Sequence, residues 1–233
     1  MQILSLIPEC TILLSSKEEG SIQNLEDADR LARSVSNLSK IPVILPTHEH
    51  ATRTWLVTSE NTTQIEFPAD ILLTKEKQVA LAHQFADCVP LLFVDRKRKS
   101  IGFAHAGWRG LTMGSVQITI LSMQANFGSH PEDLWVWIGP CIQKASYGFE
   151  EQPIQSKIES WSSSIESQKG TYFVDLPHFI ESSCVQLGID PTRIINDGRD
   201  TYQQRDIFFS HRRAVESRSS KDKGNFSVLC WIN

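Results

Sequence analysis

The apolar runs 91–94 and 101–105 flank the tetrad Arg96-Lys97-Arg98-Lys99, and no other feature of the chain restricts its fold as much. Four adjacent like charges make a poor core and a good exposed turn, so the two runs read as the arms of a hairpin. With the tetrad as a four-residue loop, Asp95 faces Ser100 and Pro90 faces His105. Cys88, two residues before Pro90, then shares a sheet face with His105, at the diagonal spacing of about 7–8 Å between Cα atoms. A slip of one residue would send the two groups to opposite faces.

Periodicity supplies the surrounding elements. Leu31, Val35 and Leu38 predict a helix over 27–38, and short strands are expected at 42–45 and 54–57, with another starting at 79–82 and running toward Cys88. Gly107 and Gly110 break the second hairpin arm, and a helix is expected over 111–127. A strand over 134–138 ends at Gly139-Pro140, a helix follows over 176–187, and 225–232 closes as a strand. The greasy segment 1–14 reads as a first core strand, because its first basic residue, Lys17, follows the apolar part instead of preceding it. The polar segments 152–170 and 217–224 read as surface loops or helix ends. Strands and helices mix without regular alternation. The expectation is α+β: a single layered domain over 1–233, of mixed, mostly antiparallel sheets flanked by helices.

Composition sets further bounds. The 233 residues are 40% hydrophobic and 21% charged, a globular balance, and the net charge of −4 provides no global field for nucleic acid or an anionic membrane. No apolar run approaches the roughly 18 residues of a membrane span. Five scattered cysteines, odd in number, point to a reduced, cytoplasmic protein. A cysteine with a special role is then a ligand or a nucleophile.

Cys88 and His105 at one hairpin end admit three readings: a buried thiol beside a core histidine, a thiolate–imidazole metal site, or a Cys–His nucleophile pair. The segment His105-Ala106-Gly107-Trp108-Arg109-Gly110 adds small residues and an Arg where a strand gives way to a helix, a place suited to an anion. His48 and His50 in Thr47-His48-Glu49-His50 share one face if extended, so either or both can point at a site. This is not H-E-x-x-H, since Thr52 stands where the second His would be. Pro140-Cys141 lacks the second cysteine of a zinc deaminase, Lys144 standing in its place, and Cys141 is assigned to the core. His211-Arg212-Arg213 is a cation cluster that suits phosphate or a solvated loop. His83, His130 and His178 carry no pattern.

Taken together, Ala86-Asp87-Cys88-Val89-Pro90, His105-Ala106-Gly107-Trp108-Arg109-Gly110, Ile138-Gly139-Pro140-Cys141-Ile142 and Phe208-Phe209-Ser210-His211-Arg212-Arg213 resemble the bacterial YfiH family, also called the laccase-domain or polyphenol oxidase family. The resemblance implies a Zn²⁺ site of two His and one Cys, here His50, Cys88 and His105. It also implies phosphorolysis of adenosine, inosine, guanosine and methylthioadenosine, with adenosine deamination alongside. Its partners are a purine nucleoside and phosphate, with no nucleic acid and no membrane. Arg30 matches a family Arg and is a candidate for substrate or phosphate contact. Arg109 and Arg212 are further candidates to hold phosphate, and Asp87 to orient a ligand His or shuttle a proton.

The chain departs from the family where Q-x-H-G becomes His48-Glu49-His50-Ala51, where Gln84-Phe85 precede Ala86-Asp87-Cys88, where Asp200 replaces a common Cys, and where the loop between Asn24 and Arg30 is shortened. Three protein ligands leave one tetrahedral position open, the mark of a catalytic zinc. The other readings are a Cu²⁺ polyphenol oxidase, with Met113 or Met123 as axial ligand, a metal-free Cys88–His105 hydrolase, and a non-catalytic partner-binding protein with a structural metal.

Overall fold

The computed structural model describes residues 1–35, 41–62 and 67–233. Among them the strands are, in chain order, β1 (Gln2–Ile7), β2 (Cys10–Leu14), β3 (Val43–Ile44), β4 (Thr54–Leu56), β5 (Ile71–Thr74), β6 (Ala80–Phe85), β7 (Val89–Asp95), β8 (Ser100–Ala106), β9 (Leu134–Ile138), β10 (Gly148–Phe149), β11 (Ile165–Gln168), β12 (Thr171–Val174), β13 (Ile194–Asn196) and β14 (Phe226–Ile232). The helices are α1 (Leu25–Arg33), α2 (Trp108–Thr112), α3 (Ser115–Phe127), α4 (Leu176–Gln186) and α5 (His211–Ser217). The class is α+β as expected, with mostly antiparallel pairing and parallel contacts at β3·β6, β4·β5 and β13·β9.

The β7–β8 hairpin has the register that the charged tetrad predicts: Asp95 pairs with Ser100 and Pro90 with His105. Three of the four charges in the tetrad are paired locally. Arg96 pairs with Glu9, Lys97 with Asp133, and Arg98 with both Asp95 and Asp133, so the tip is pinned to its neighbours.

Both hairpin strands are buried on both faces because the hairpin lies between two apolar layers. Leu92, Val94, Ile101 and Phe103 face the five-stranded sheet β1-β2-β14-β6-β3, meeting Ile12, Leu81, Phe85 and Val228. Leu91, Phe93 and Ala104 face the other way, toward Val116, Ile120 and Met123 of α3 and Phe179 and Ile180 of α4. The period of two explains how one unbroken apolar run serves both layers. On the far side of the five-stranded sheet, Ala28, Leu31 and Ala32 of α1 cover Leu13, Ala80 and Trp231. The order is therefore helix, sheet, sheet, helix, with the six-stranded sheet β13-β9-β7-β8-β5-β4 as the inner layer beside α3 and α4. Gly102 permits the closest approach. A Cβ there would lie 2.8 Å from the Met123 sulfur and 2.9 Å from the Thr119 methyl.

Several elements differ from the sequence expectation. The helix predicted over 111–127 is two helices, because Gly114 adopts a left-handed conformation (φ 87°) between α2 and α3. Helix α1 ends at Arg33, and the predicted continuation to Leu38 lies outside the described residues. The segment 1–14 is a hairpin turned at Pro8-Glu9, its second strand fully buried. The polar segment 152–170 is more than a surface loop. It carries Trp161 into the core, stacked on Phe179 at 3.9 Å, and also forms strand β11.

Arg213, placed in a cation cluster by its sequence neighbours, is a buried cross-brace. Its guanidinium donates to the carbonyls of Thr201, Tyr202 and Phe208 and pairs with Asp222 at 2.6 Å. Removing it leaves three carbonyls without their donor and takes one partner from Asp222, which keeps Lys17 and the Ser217 hydroxyl. Arg213→Met is expected to destabilise the fold by about 3–5 kcal/mol in urea unfolding, the usual loss when one partner of a buried pair is deleted.

Candidate metal centre

The centre forms where β7 begins and β8 ends, at the mouth of the layer between the two large sheets. Cys88 precedes β7, His105 is near the end of β8, and His50 lies on the loop leading to β4. One donor atom from each falls within 4.8 Å of the others, the only such group among the described residues. His50 is exposed, Cys88 half-buried and His105 buried. Gly107 makes room for the sulfur, since a Cβ there would lie 2.9 Å from Cys88 Sγ.

The carboxylate of Asp70, fully buried just before β5, holds two of these segments together. It accepts the backbone N–H groups of Glu49, His50 and Ala51 at 3.3, 3.0 and 2.9 Å. These bonds stabilise the left-handed backbone of His50 (φ 56°). The same carboxylate lies 3.3 Å from His105 Nδ1, which leaves Nε2 of that ring free for a ligand role. Asp70 escaped the sequence reading because it belongs to no periodic element and is far in sequence from the groups it serves.

Asp87, expected to orient a ligand histidine or move a proton, lines the cavity onto which the donors open but makes no hydrogen bond to a donor histidine among the described residues. Its carboxylate is taken up by the Thr201 and Ser210 hydroxyls at 2.7 and 3.0 Å and by the Arg212 N–H at 2.7 Å. Asp87 has φ 87°, a costly conformation for a non-glycine residue, and these bonds hold the turn that presents Cys88. Orientation of His105 falls to Asp70 instead.

Burial alone would push the Cys88 thiol up, but the charge of His105 and hydrogen bonds from His105 and His50 outweigh it and bring the thiol down to about 6. Burial opposes charge on His105 as well, and the Cys88 thiolate and Asp70 carboxylate override it upward. In the metal-free pair each group thus favours the charged form of the other. Cys10, Cys141, Cys184 and Cys230 are buried, and desolvation raises every one of them.

The donors open into a cleft of about 1010 Å³ whose walls include Asn24, Trp108, Arg109, Tyr147, Leu176 and Arg212. Arg109 is exposed, with its guanidinium 4.6 Å from the Trp108 ring. Arg212 lies over Phe149 and Tyr147, at 4.6 and 5.2 Å, and donates to the Gly148 carbonyl. Tyr147 was missed in the sequence, where it sits in an irregular polar stretch. Arg30 is not brought to the cleft. It lies off the buried stripe of α1, exposed and paired with Asp27 at 2.8 Å. His48 is not in the donor group and pairs instead with His83, 2.7 Å away.

This layered fold, with two imidazoles and a thiol facing one cleft, is that of the YfiH type, and the three groups could hold a metal ion. The chain belongs to that laccase-domain family: the family described as multi-copper polyphenol oxidoreductase laccase matches residues 14–233. It is similar to a purine nucleoside phosphorylase of Bacteroides thetaiotaomicron, 28% identical over 206 residues, covering 81% of this chain and 76% of that protein. It is similar also to the purine nucleoside phosphorylase YfiH of Escherichia coli, 28% identical over 167 residues, covering 70% of this chain and 64% of that one. The crystal structure of YlmD from Geobacillus stearothermophilus has the same fold, with a TM-score of 0.83 at 23% identity, over 99% of this chain and 94% of that one.

Two outcomes test the centre directly. Iodoacetamide at neutral pH is expected to label Cys88 ahead of the other four cysteines in chelator-treated protein, as read by peptide mass mapping. Labelling should slow below about pH 6, where the thiolate is lost, and added zinc should protect. Asp70→Asn is expected to weaken zinc binding by roughly 10–100-fold in a chelator competition.

Proposed function

We propose that the chain is a zinc-dependent purine nucleoside phosphorylase acting on adenosine, inosine, guanosine and methylthioadenosine, with adenosine deaminase activity at the same cleft. The observation that carries the reading is the convergence of His50, Cys88 and His105 in a cleft that also bears two arginines. Relatives that carry the phosphorylase name support it.

Two imidazoles and a thiolate are a donor set that zinc favours. His50, Cys88 and His105 would hold the ion, which supplies Lewis acidity at an open coordination position. The copper reading finds less support in the residues around the cleft. Met123 is packed beneath Gly102 in the core, Met113 is exposed, and neither lines the cleft.

Phosphorolysis forms a bond between a phosphate oxygen and C1′ and breaks the C1′–N9 bond, whose electron pair leaves with the purine. Arg109 and Arg212 neutralise and orient the phosphate by charge-assisted hydrogen bonds. Tyr147, whose hydroxyl is held neutral by burial with a pKa raised to about 12, presents an aromatic face and a donor to the substrate. Asp87 acts through its carboxylate, which accepts from the Ser210 hydroxyl and the Arg212 backbone N–H and keeps the Cys88 turn and the start of α5 in place. The reaction is assigned to the cytoplasm, where the five free thiols stay reduced.

The test is chromatography of inosine and adenosine with zinc-loaded protein, with and without phosphate. Free base is expected only with phosphate, in step with ribose 1-phosphate, while inosine formed from adenosine reports the deaminase. Arg212→Ala is expected to raise the KM for phosphate by roughly 10–100-fold, the loss of a charge-assisted bond worth about 1.5–3 kcal/mol. No phosphate-dependent base release by protein carrying one zinc per chain would overturn the reading. The lowered Cys88 thiol favours one second reading, a metal-free Cys88–His105 nucleophile, and full activity after chelation would select it.

A further inference from the structure

Beneath the centre lies a histidine pair that metal binding alone does not require. The His48 ring stacks flat on His105, with centroids 4.1 Å apart and planes 2° from parallel. His48 Nε2 is 2.7 Å from His83 Nδ1, and His83 Nε2 is 3.2 Å from the Phe103 carbonyl. A carbonyl only accepts, so His83 carries its proton on Nε2, its Nδ1 accepts, and His48 Nε2 donates. The circuit closes on one strand: it starts at the Phe103 carbonyl of β8, runs through two rings, and returns to His105 two residues further along β8.

His83 is fully buried on β6, between Leu81 and Phe85, at a position that the alternation reserves for an apolar side chain. An imidazole there costs desolvation that a leucine would not. Among the described residues its ring hydrogen-bonds only the Phe103 carbonyl and His48, so its visible product is a fixed His48 ring. The hydrogen bond from His105 Nδ1 to Asp70 still lets the imidazole roll about the N···O axis. A parallel ring against its face removes that freedom.

We propose that His48, clamped by His83, is a positioning residue of the metal centre: its ring is the platform that fixes the plane of the His105 imidazole. This rests on the reading of His105 as a metal ligand. Asp70 sets where the ring points and His48 sets how it lies, so a ligand is presented without reorganisation when the ion binds.

The test compares zinc affinity, by chelator competition, and the visible ligand-field spectrum of the Co²⁺-loaded protein across wild type and its variants. His48→Gln keeps a donor for His83 but removes the platform, and is expected to weaken zinc by roughly 10–100-fold and shift the Co²⁺ bands. His48→Phe restores a flat face without the bond to His83 and is expected to recover part of the affinity. His83→Leu likewise keeps a flat face without its clamp and is expected to fall between wild type and His48→Gln, and thermal melting monitors whether it folds. A folded His48→Gln protein with wild-type zinc affinity and an unchanged Co²⁺ spectrum overturns the proposal. So does a His48→Phe protein no better than His48→Gln. Wild-type protein that binds no zinc, or Cys88→Ser protein that binds it undiminished, overturns the metal reading instead, and the positioning role with it.

Discussion

The buried carboxylate of Asp70 is the joint on which the centre depends. It gathers three backbone N–H groups of the loop that carries His50 and reaches the ring of His105 on a different strand. A buried charge is tolerated only when its lone pairs are used, and here every use falls on a segment that presents a donor atom. The loop gains a left-handed residue at His50 that an isolated peptide would rarely adopt, and β8 gains an oriented imidazole. Lose the carboxylate and the donors no longer share a frame.

A second buried carboxylate, Asp87, performs the matching task on the other side. It holds the turn before Cys88 by binding the Thr201 and Ser210 hydroxyls and the first turn of α5. Arg213, one residue further along α5, braces the same loop through three carbonyls and Asp222. The C-terminal segment, remote in sequence from Cys88, thus sets where the sulfur points. Arg212 is the member of the Arg212-Arg213 pair left at the cleft, its guanidinium over two aromatic rings and bonded to the Gly148 carbonyl.

Much of the framework was legible because its signals are local. Four consecutive basic residues determine a turn, and the turn determines the β7–β8 register, which puts Cys88 and His105 on one face. The helices over 176–187 and 111–127 were visible from periodicity, and only the break at Gly114 was missed. The family motifs named His50, which spacing alone left level with His48. Asp70 and His83 were invisible for a common reason. Each is a single polar residue whose side-chain partners lie 19 or more positions away on other strands or loops, so no short window contains the interaction. Arg30 was misplaced because alignment carries a residue's position but not the face of the helix that packing selects. Ala28, Leu31 and Ala32 turn inward, and Arg30 is carried out to Asp27.

The amino-acid sequence by itself determined the class of fold, the hairpin and its register, and which side chains have the chemistry to hold a metal. Those follow from short-range patterns of charge, apolarity and motif. Only the tertiary structure decided which carboxylate serves the imidazole, what the His48 ring packs against, and which of the three candidate arginines line the cleft. Those outcomes are set by the burial of polar groups that must find partners across the fold, and the partners are fixed only once the layers have packed.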